Sequence, residues 1–154
     1  MNQFMELAIE EARKGFKSNH GGPFGAVVVR NNEMIASAHN EVLKTNDPTA
    51  HAEVLAIRRA CALLGNYDLS DCEIFSTSEP CPMCFSAIHW SRLKKLHLGT
   101  TRHDVAVIGF DDGLIYDILS GKVKKAQMEI VSVDRKHCLG LLEEWNAMPD
   151  KVIY

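Results

Sequence analysis

Two short stretches constrain this chain more than any other part of it: His51-Ala52-Glu53 and Pro80-Cys81-Pro82-Met83-Cys84. Cys81 and Cys84 stand three residues apart, so on a helix they share a face. Imidazole and thiolate are ligands that zinc prefers, and three of them leave one tetrahedral position open for water, as a catalytic zinc requires. A fold that serves His51, Cys81 and Cys84 must carry two segments, distant in sequence, to one point. Glu53 follows His51 by two residues, points to another side of a helix, and makes a poor fellow ligand. A carboxylate close to an activated water can instead take up and return protons. A lone Cys-x-x-Cys also suits a redox pair or half of a structural zinc knuckle. This chain has no second Cys-x-x-Cys to complete a knuckle, and a redox pair has no use for the His-x-Glu upstream.

The rest of the chain places those segments. In residues 2–17, Phe4, Leu7, Ala8, Glu11, Ala12 and Gly15 fall along one helical row, which breaks at Ser18-Asn19-His20-Gly21-Gly22-Pro23. Residues 24–30 are a β-branched run without a polar face, as a buried strand requires. Asn31-Asn32 suits a hairpin turn, with residues 33–39 as the partner strand and Asn40 at its end. Asp47-Pro48 reads as a helix N-cap followed by proline in the first turn. The helix it opens turns Ala50, Val54, Ile57, Ala60, Cys61 and Leu64 inward and stops at Gly65-Asn66. Residues 73–78 read as a strand that runs into the Cys81 segment, where Pro82 fits the first turn of a helix. Both halves of the metal motif then sit at helix starts, whose field favours thiolate. Residues 95–100 read as a strand, 101–113 as a polar loop, 114–119 as a short helix, 128–133 as a last strand and 136–147 as a last helix.

That order implies an α/β fold of three layers, α-β-α, on a mixed sheet of about five strands. A length of 154 residues suits one domain, residues 1–154. Cys61, Cys72 and Cys138 read as small buried hydrophobes in a reducing cytoplasm rather than as a disulfide framework. Nothing at the N-terminus resembles a signal peptide, and no apolar run is long enough to span a membrane. The formal net charge of -3 argues against a polyanionic partner, because nucleic-acid binders carry a basic excess.

Four stretches carry a family resemblance: Gly22-Pro23-Phe24-Gly25-Ala26-Val27, Asn46 through Glu53, Ser78 through Cys84, and Gly109-Phe110-Asp111-Asp112. With them the chain resembles the cytidine deaminase-like superfamily of zinc-dependent deaminases over nearly its whole length. The Gly-Pro-Phe-Gly and Phe-Asp-Asp parts, with a C-terminal tyrosine, resemble its bacterial guanine deaminase branch. The resemblance implies one zinc per chain on His51, Cys81 and Cys84, and hydrolysis at the carbon that bears an exocyclic amine. It implies Glu53 as proton shuttle and Asp112 as an aspartate that meets the substrate's amino group. It implies Asn40 as the purine-reading amide, Phe24 as the stacking ring, and Tyr154 as part of a C-terminal segment exchanged between the subunits of a homodimer. Trp90 reads as a core or dimer contact, and residues 101–108 as a segment that tunes the substrate. Guanosine, amino-triazine and cytosine-type deaminases share several of these features. So does tRNA adenosine deaminase, which acts on a flipped-out base and calls for a basic surface. A zinc-stabilised interaction protein without chemistry is the remaining class, and Glu53 has no use there.

Overall fold

The computed structural model describes residues 1–124 and 128–153, grouped in two compact units, Met1–Tyr116 and Asp117–Tyr154. The first unit is built on a sheet of four strands: β1 (Gly25–Arg30), β2 (Glu33–His39), β3 (Cys72–Ser78) and β4 (Lys95–Thr100), in the order β2-β1-β3-β4. β1 pairs antiparallel with β2 and with β3, whereas β4 joins β3 in parallel, so the sheet is mixed. The β1–β2 turn is made by Asn31 and Asn32, both at positive φ (51° and 63°), the left-handed geometry that a two-residue hairpin uses and that asparagine tolerates.

β1 is buried on both sides because helices cover both faces of the sheet. Val27 and Val29 pack with Phe75 against Phe4 and Ala8 of helix α1 (Gln3–Lys17). Ala26 and Val28 face the other way, onto Ala52, Ala56 and Ala60 of helix α3 (Ala52–Leu64), in a cluster that reaches Ile88 of helix α4 (Pro82–Trp90). The three layers follow from that alternation. The small side chains let the layers approach closely. A Cβ on Gly25 would run into the carbonyl oxygen of Ala8, so glycine sets how near α1 lies to β1.

Elsewhere the structure departs from the sequence reading. α3 starts at Ala52, with His51 as its N-cap, rather than at Asp47. Asp47 Oδ1 instead accepts from Thr49 N at 2.8 Å and Thr49 Oγ1 at 2.7 Å, a local turn that competes with helix. A short helix α2 (Val42–Thr45) precedes that turn. The polar loop expected at 101–113 contains helix α5 (Arg102–Val107), opened by a reciprocal capping box between Thr101 and Asp104. Helix α6 (Gly113–Leu119) follows.

In the second unit the expected strand at 128–133 is absent. Met128, Ile130, Val131 and Val133 are exposed there and no sheet partner exists among the described residues, so the sheet has four strands rather than five. The unit's helix α7 (Arg135–Ala147) has no buried residue. Of the cysteines expected to be buried, Cys72 is, Cys61 is half-buried and Cys138 is exposed. Trp90 is exposed as well, and so is not a core residue.

Candidate active site

The parallel β3–β4 pair and the two helix starts beside it make the site. β3 ends at Ser78, and the chain turns through Glu79-Pro80 into α4, with Cys81 as its N-cap and Pro82 in its first turn. Cys84 lies one turn further along and is fully buried. His51 stands at the matching start of α3. Both N-caps are extended and neither uses its side chain to cap its own helix, which leaves the imidazole and the thiol free to turn toward one another.

The three side chains converge. His51 Nδ1 lies 3.6 Å from Cys81 Sγ and 3.5 Å from Cys84 Sγ, and the ligand atoms all fall within 4.8 Å of one another. A tetrahedral zinc, with Zn–S about 2.3 Å and Zn–N about 2.0–2.1 Å, sets nitrogen–sulfur edges of roughly 3.5–3.6 Å. The donor set therefore fits zinc in both chemistry and spacing, with one coordination position left over. Without metal the cluster divides its protons unevenly. A hydrogen bond from Cys84, and then one from His51, hold the Cys81 thiol down to about 4. Cys84, beside that thiolate and buried, is pushed far up, and His51 is raised by its bond to Cys81. Two adjacent thiols cannot both ionise unaided, and a bound cation removes that conflict because a coordinating thiol is deprotonated outright.

Glu53 is 5% exposed, at the first turn of α3, with Ser76 Oγ of β3 donating to its Oε1 at 3.1 Å. Burial, above all, raises its carboxyl above the usual range. Its walls also form a cavity of about 460 Å³ that includes His51, Cys81, Phe24 and Asp112. Phe24 meets Phe110 edge-on, ring centroids 5.1 Å apart. Asp112, too, is raised, first by burial and then by the charge on Cys81.

The sequence-derived candidates thus fall into three groups. His51, Cys81, Cys84, Glu53, Phe24 and Asp112 share the cluster and its cavity. Asn40 does not line that cavity. It is buried at the end of β2, where its Oδ1 accepts from Val42 N at 3.2 Å and a Cβ on Gly21 would collide with its side chain. Tyr154 lies outside the described residues. Sequence reasoning missed Glu79 and Arg102, which both line the cavity. The Thr-x-x-Asp that starts α5 marks a helix start in sequence but not the cavity that Arg102 lines.

Comparison with known proteins agrees with this geometry. The profile of the cytidine and deoxycytidylate deaminase zinc-binding region matches residues 1–100. Guanine deaminase of Bacillus subtilis is 40% identical over 151 residues, 98% of this chain and 97% of that one. A tRNA-specific adenosine deaminase of Aquifex aeolicus is 44% identical over 93 residues, 60% of this chain and 61% of that one. The crystal structure of guanine deaminase from B. subtilis superimposes with a TM-score of 0.93, covering 100% of this chain and 99% of that one. Motif, site geometry and full-length similarity converge: the chain belongs to the cytidine and deoxycytidylate deaminase family of zinc-binding aminohydrolases, on the branch that holds the guanine deaminases.

Proposed function

We propose that this protein hydrolyses the exocyclic amine of a purine base, with guanine and water giving xanthine and ammonia. One observation carries the reaction type: a buried carboxylate, Glu53, shares a cavity with an open three-ligand zinc set. The choice of base rests on similarity to guanine deaminase along the whole chain. Zinc held by His51, Cys81 and Cys84 supplies a Lewis acid that makes water acidic enough to attack near neutral pH.

The chain's own residues do the rest. Glu53 Oε1 is held by Ser76, which leaves Oε2 to take a proton from the attacking water. A carboxyl raised by burial also returns that proton readily to a ring nitrogen, then takes the proton of the newly added hydroxyl and passes it to the amine, which leaves as ammonia while the carbonyl forms. Phe24, braced by Phe110, offers a face for the base, and base–aromatic stacking contributes about 1–3 kcal/mol. Asp112 meets the amino group at the cavity wall. For Asn40 the family resemblance assigns the purine edge; its side chain lies outside the cavity lining and reads that edge by turning its amide toward a bound base.

The same proposal includes a homodimer whose C-terminal segment, through Tyr154, covers a site, and a cytoplasmic setting for five free cysteines. Among the described residues no helix is long and apolar enough to cross a membrane. A net charge of -3 disfavours the tRNA alternative. The test is an ammonia-release screen over guanine, guanosine, adenine, cytosine, cytidine and amino-triazines, with a tRNA anticodon stem-loop beside them. Guanine should be the fastest substrate. Faster release from cytidine or the stem-loop would overturn the choice of base.

A further inference from the structure

The zinc cavity is lined mostly by acceptors and apolar groups: Glu53, Glu79, Asp111 and Asp112 all contribute to it. Arg102 is the one Lys or Arg side chain among its lining residues. Its guanidinium makes no ion pair within 4.0 Å of any described carboxylate. It is nonetheless held in place. The guanidinium carbon lies 4.6 Å from the centroid of the Tyr116 ring, a cation–π stack. Tyr116 in turn donates its hydroxyl to Pro80 O at 2.9 Å, next to the ligand Cys81. The backbone of Arg102 is fixed too, since its N–H donates to Glu79 Oε2 at 2.9 Å and the Thr101–Asp104 capping box sets the start of α5.

We propose that Arg102 is a specificity-determining residue, which donates from its fixed guanidinium to a carbonyl acceptor on the substrate ring. A guanidinium has five N–H donors and no acceptor. Stacking on Tyr116 occupies its face and leaves its edge donors available. A guanidinium that stacks on Tyr116 yet pairs with none of the described carboxylates keeps its edge donors for a ligand. It selects rings that carry an oxo group over rings that carry an amino group at the same position, because it cannot accept from an amine. Asp112 also feels the Arg102 charge, which opposes the upward push of burial. That influence acts on every substrate alike and so is separable from recognition.

The inference rests on the purine-base reading. Its test compares guanine with 2,6-diaminopurine, which has an amino group where guanine has the 6-oxo. Arg102→Met keeps an apolar side chain of similar length that can lie on the Tyr116 ring and removes the donors, and Arg102→Lys restores the charge and N–H donors without the planar fork. Arg102→Met should lower kcat/KM for guanine by roughly 10- to 100-fold, the worth of a charge-assisted hydrogen bond, mainly through KM. Turnover or inhibition by 2,6-diaminopurine should change by less than about 3-fold, and Arg102→Lys should recover part of the loss. Zinc content and Tm identify a variant that has merely misfolded, and Arg102→Leu, which also lacks the donors, then carries the same comparison. An equal loss on both bases, or no loss on either, overturns the role of Arg102. A wild-type protein that releases no ammonia from guanine overturns the purine reading instead, and this inference with it.

Discussion

At the scale of single residues, the site separates metal holding from proton transfer. His51, Cys81 and Cys84 form the cluster, while Glu53 sits buried beside it on Ser76. Those two tasks should therefore fail independently. Glu53→Gln keeps the shape and the bond partner but removes the proton acceptor. It should retain zinc and lower kcat by about 10²–10⁴-fold, the usual worth of a general acid–base group. Retention of more than about a tenth of wild-type kcat would rule Glu53 out as the shuttle. Cys84→Ala should behave in the opposite order, losing zinc first and activity as a consequence. Metal analysis of the folded variant decides this, and unchanged zinc content would remove Cys84 from the ligand set. The ligands were legible in the sequence because metal chemistry fixes residue type and spacing. Arg102 and Glu79 were not, because nothing in a lone arginine or glutamate says which cavity a helix start will face. Asn40 shows a different limit: an asparagine at a strand end was legible as a candidate, and in the structure it is buried, accepts from Val42 N and is not among the residues that line the cavity.

At the scale of elements, β1 had no polar face in sequence, and it is covered by α1 on one face and α3 on the other. Element identity was readable wherever a periodic face or a capping residue marks it. Gly65 ends α3 in the left-handed conformation expected of a helix-terminating glycine (φ 62°). The misreading at Asp47 has a physical source. An aspartate before a proline serves a helix cap and a local turn equally well, and only tertiary packing chooses between them. What the sequence pattern could not convey is the depth of the α1–β1 contact, which depends on Gly25. A Cβ there would meet the Ala8 carbonyl oxygen, and also Ala12 N at 2.7 Å and Ala12 Cβ at 3.1 Å. These are backbone or rigid atoms, so α1 must move. Gly25→Ala should cost about 1–3 kcal/mol as an overpacked contact. For a chain of this size that corresponds to a fall in Tm of roughly 2–4 °C per kcal/mol. Zinc content and the order of substrate preference should stay as in wild type. An unchanged Tm would mean that α1 does not depend on this close approach.

At the scale of the whole molecule, an apolar residue is informative only through what covers it. The run at 128–133 has the composition of a strand, but a strand exists only when another strand pairs with it, and none does among the described residues. That is why the count of strands was the least legible part of the fold. The same consideration applies to α7. Leu139, Leu142 and Trp145 recur at helical spacing, yet all are exposed in the single chain, as are Phe85 and Trp90 on α4. Each unit thus leaves apolar side chains uncovered, and a second copy of the chain is the partner that the family resemblance implies for them. Light scattering behind size exclusion should give the mass of a dimer. Leu142→Asp together with Trp145→Asp should shift it toward monomer and lower activity while zinc stays bound. Whether each site is completed by its own chain or by the partner is a separate question, which mixing answers. A chain without residues 150–154 and a Glu53→Gln chain should each be nearly inactive alone. If the C-terminal segment crosses to the partner, their heterodimer contains one intact Glu53 site covered by the other chain's segment, and activity returns to as much as half of wild type per mixed dimer. If the segment stays on its own chain, one site lacks the segment and the other lacks Glu53, and the mixture stays inactive. Recovery of activity on mixing, measured as ammonia release after subunit exchange, therefore separates a dimer that only buries apolar surface from one in which each active site depends on both chains.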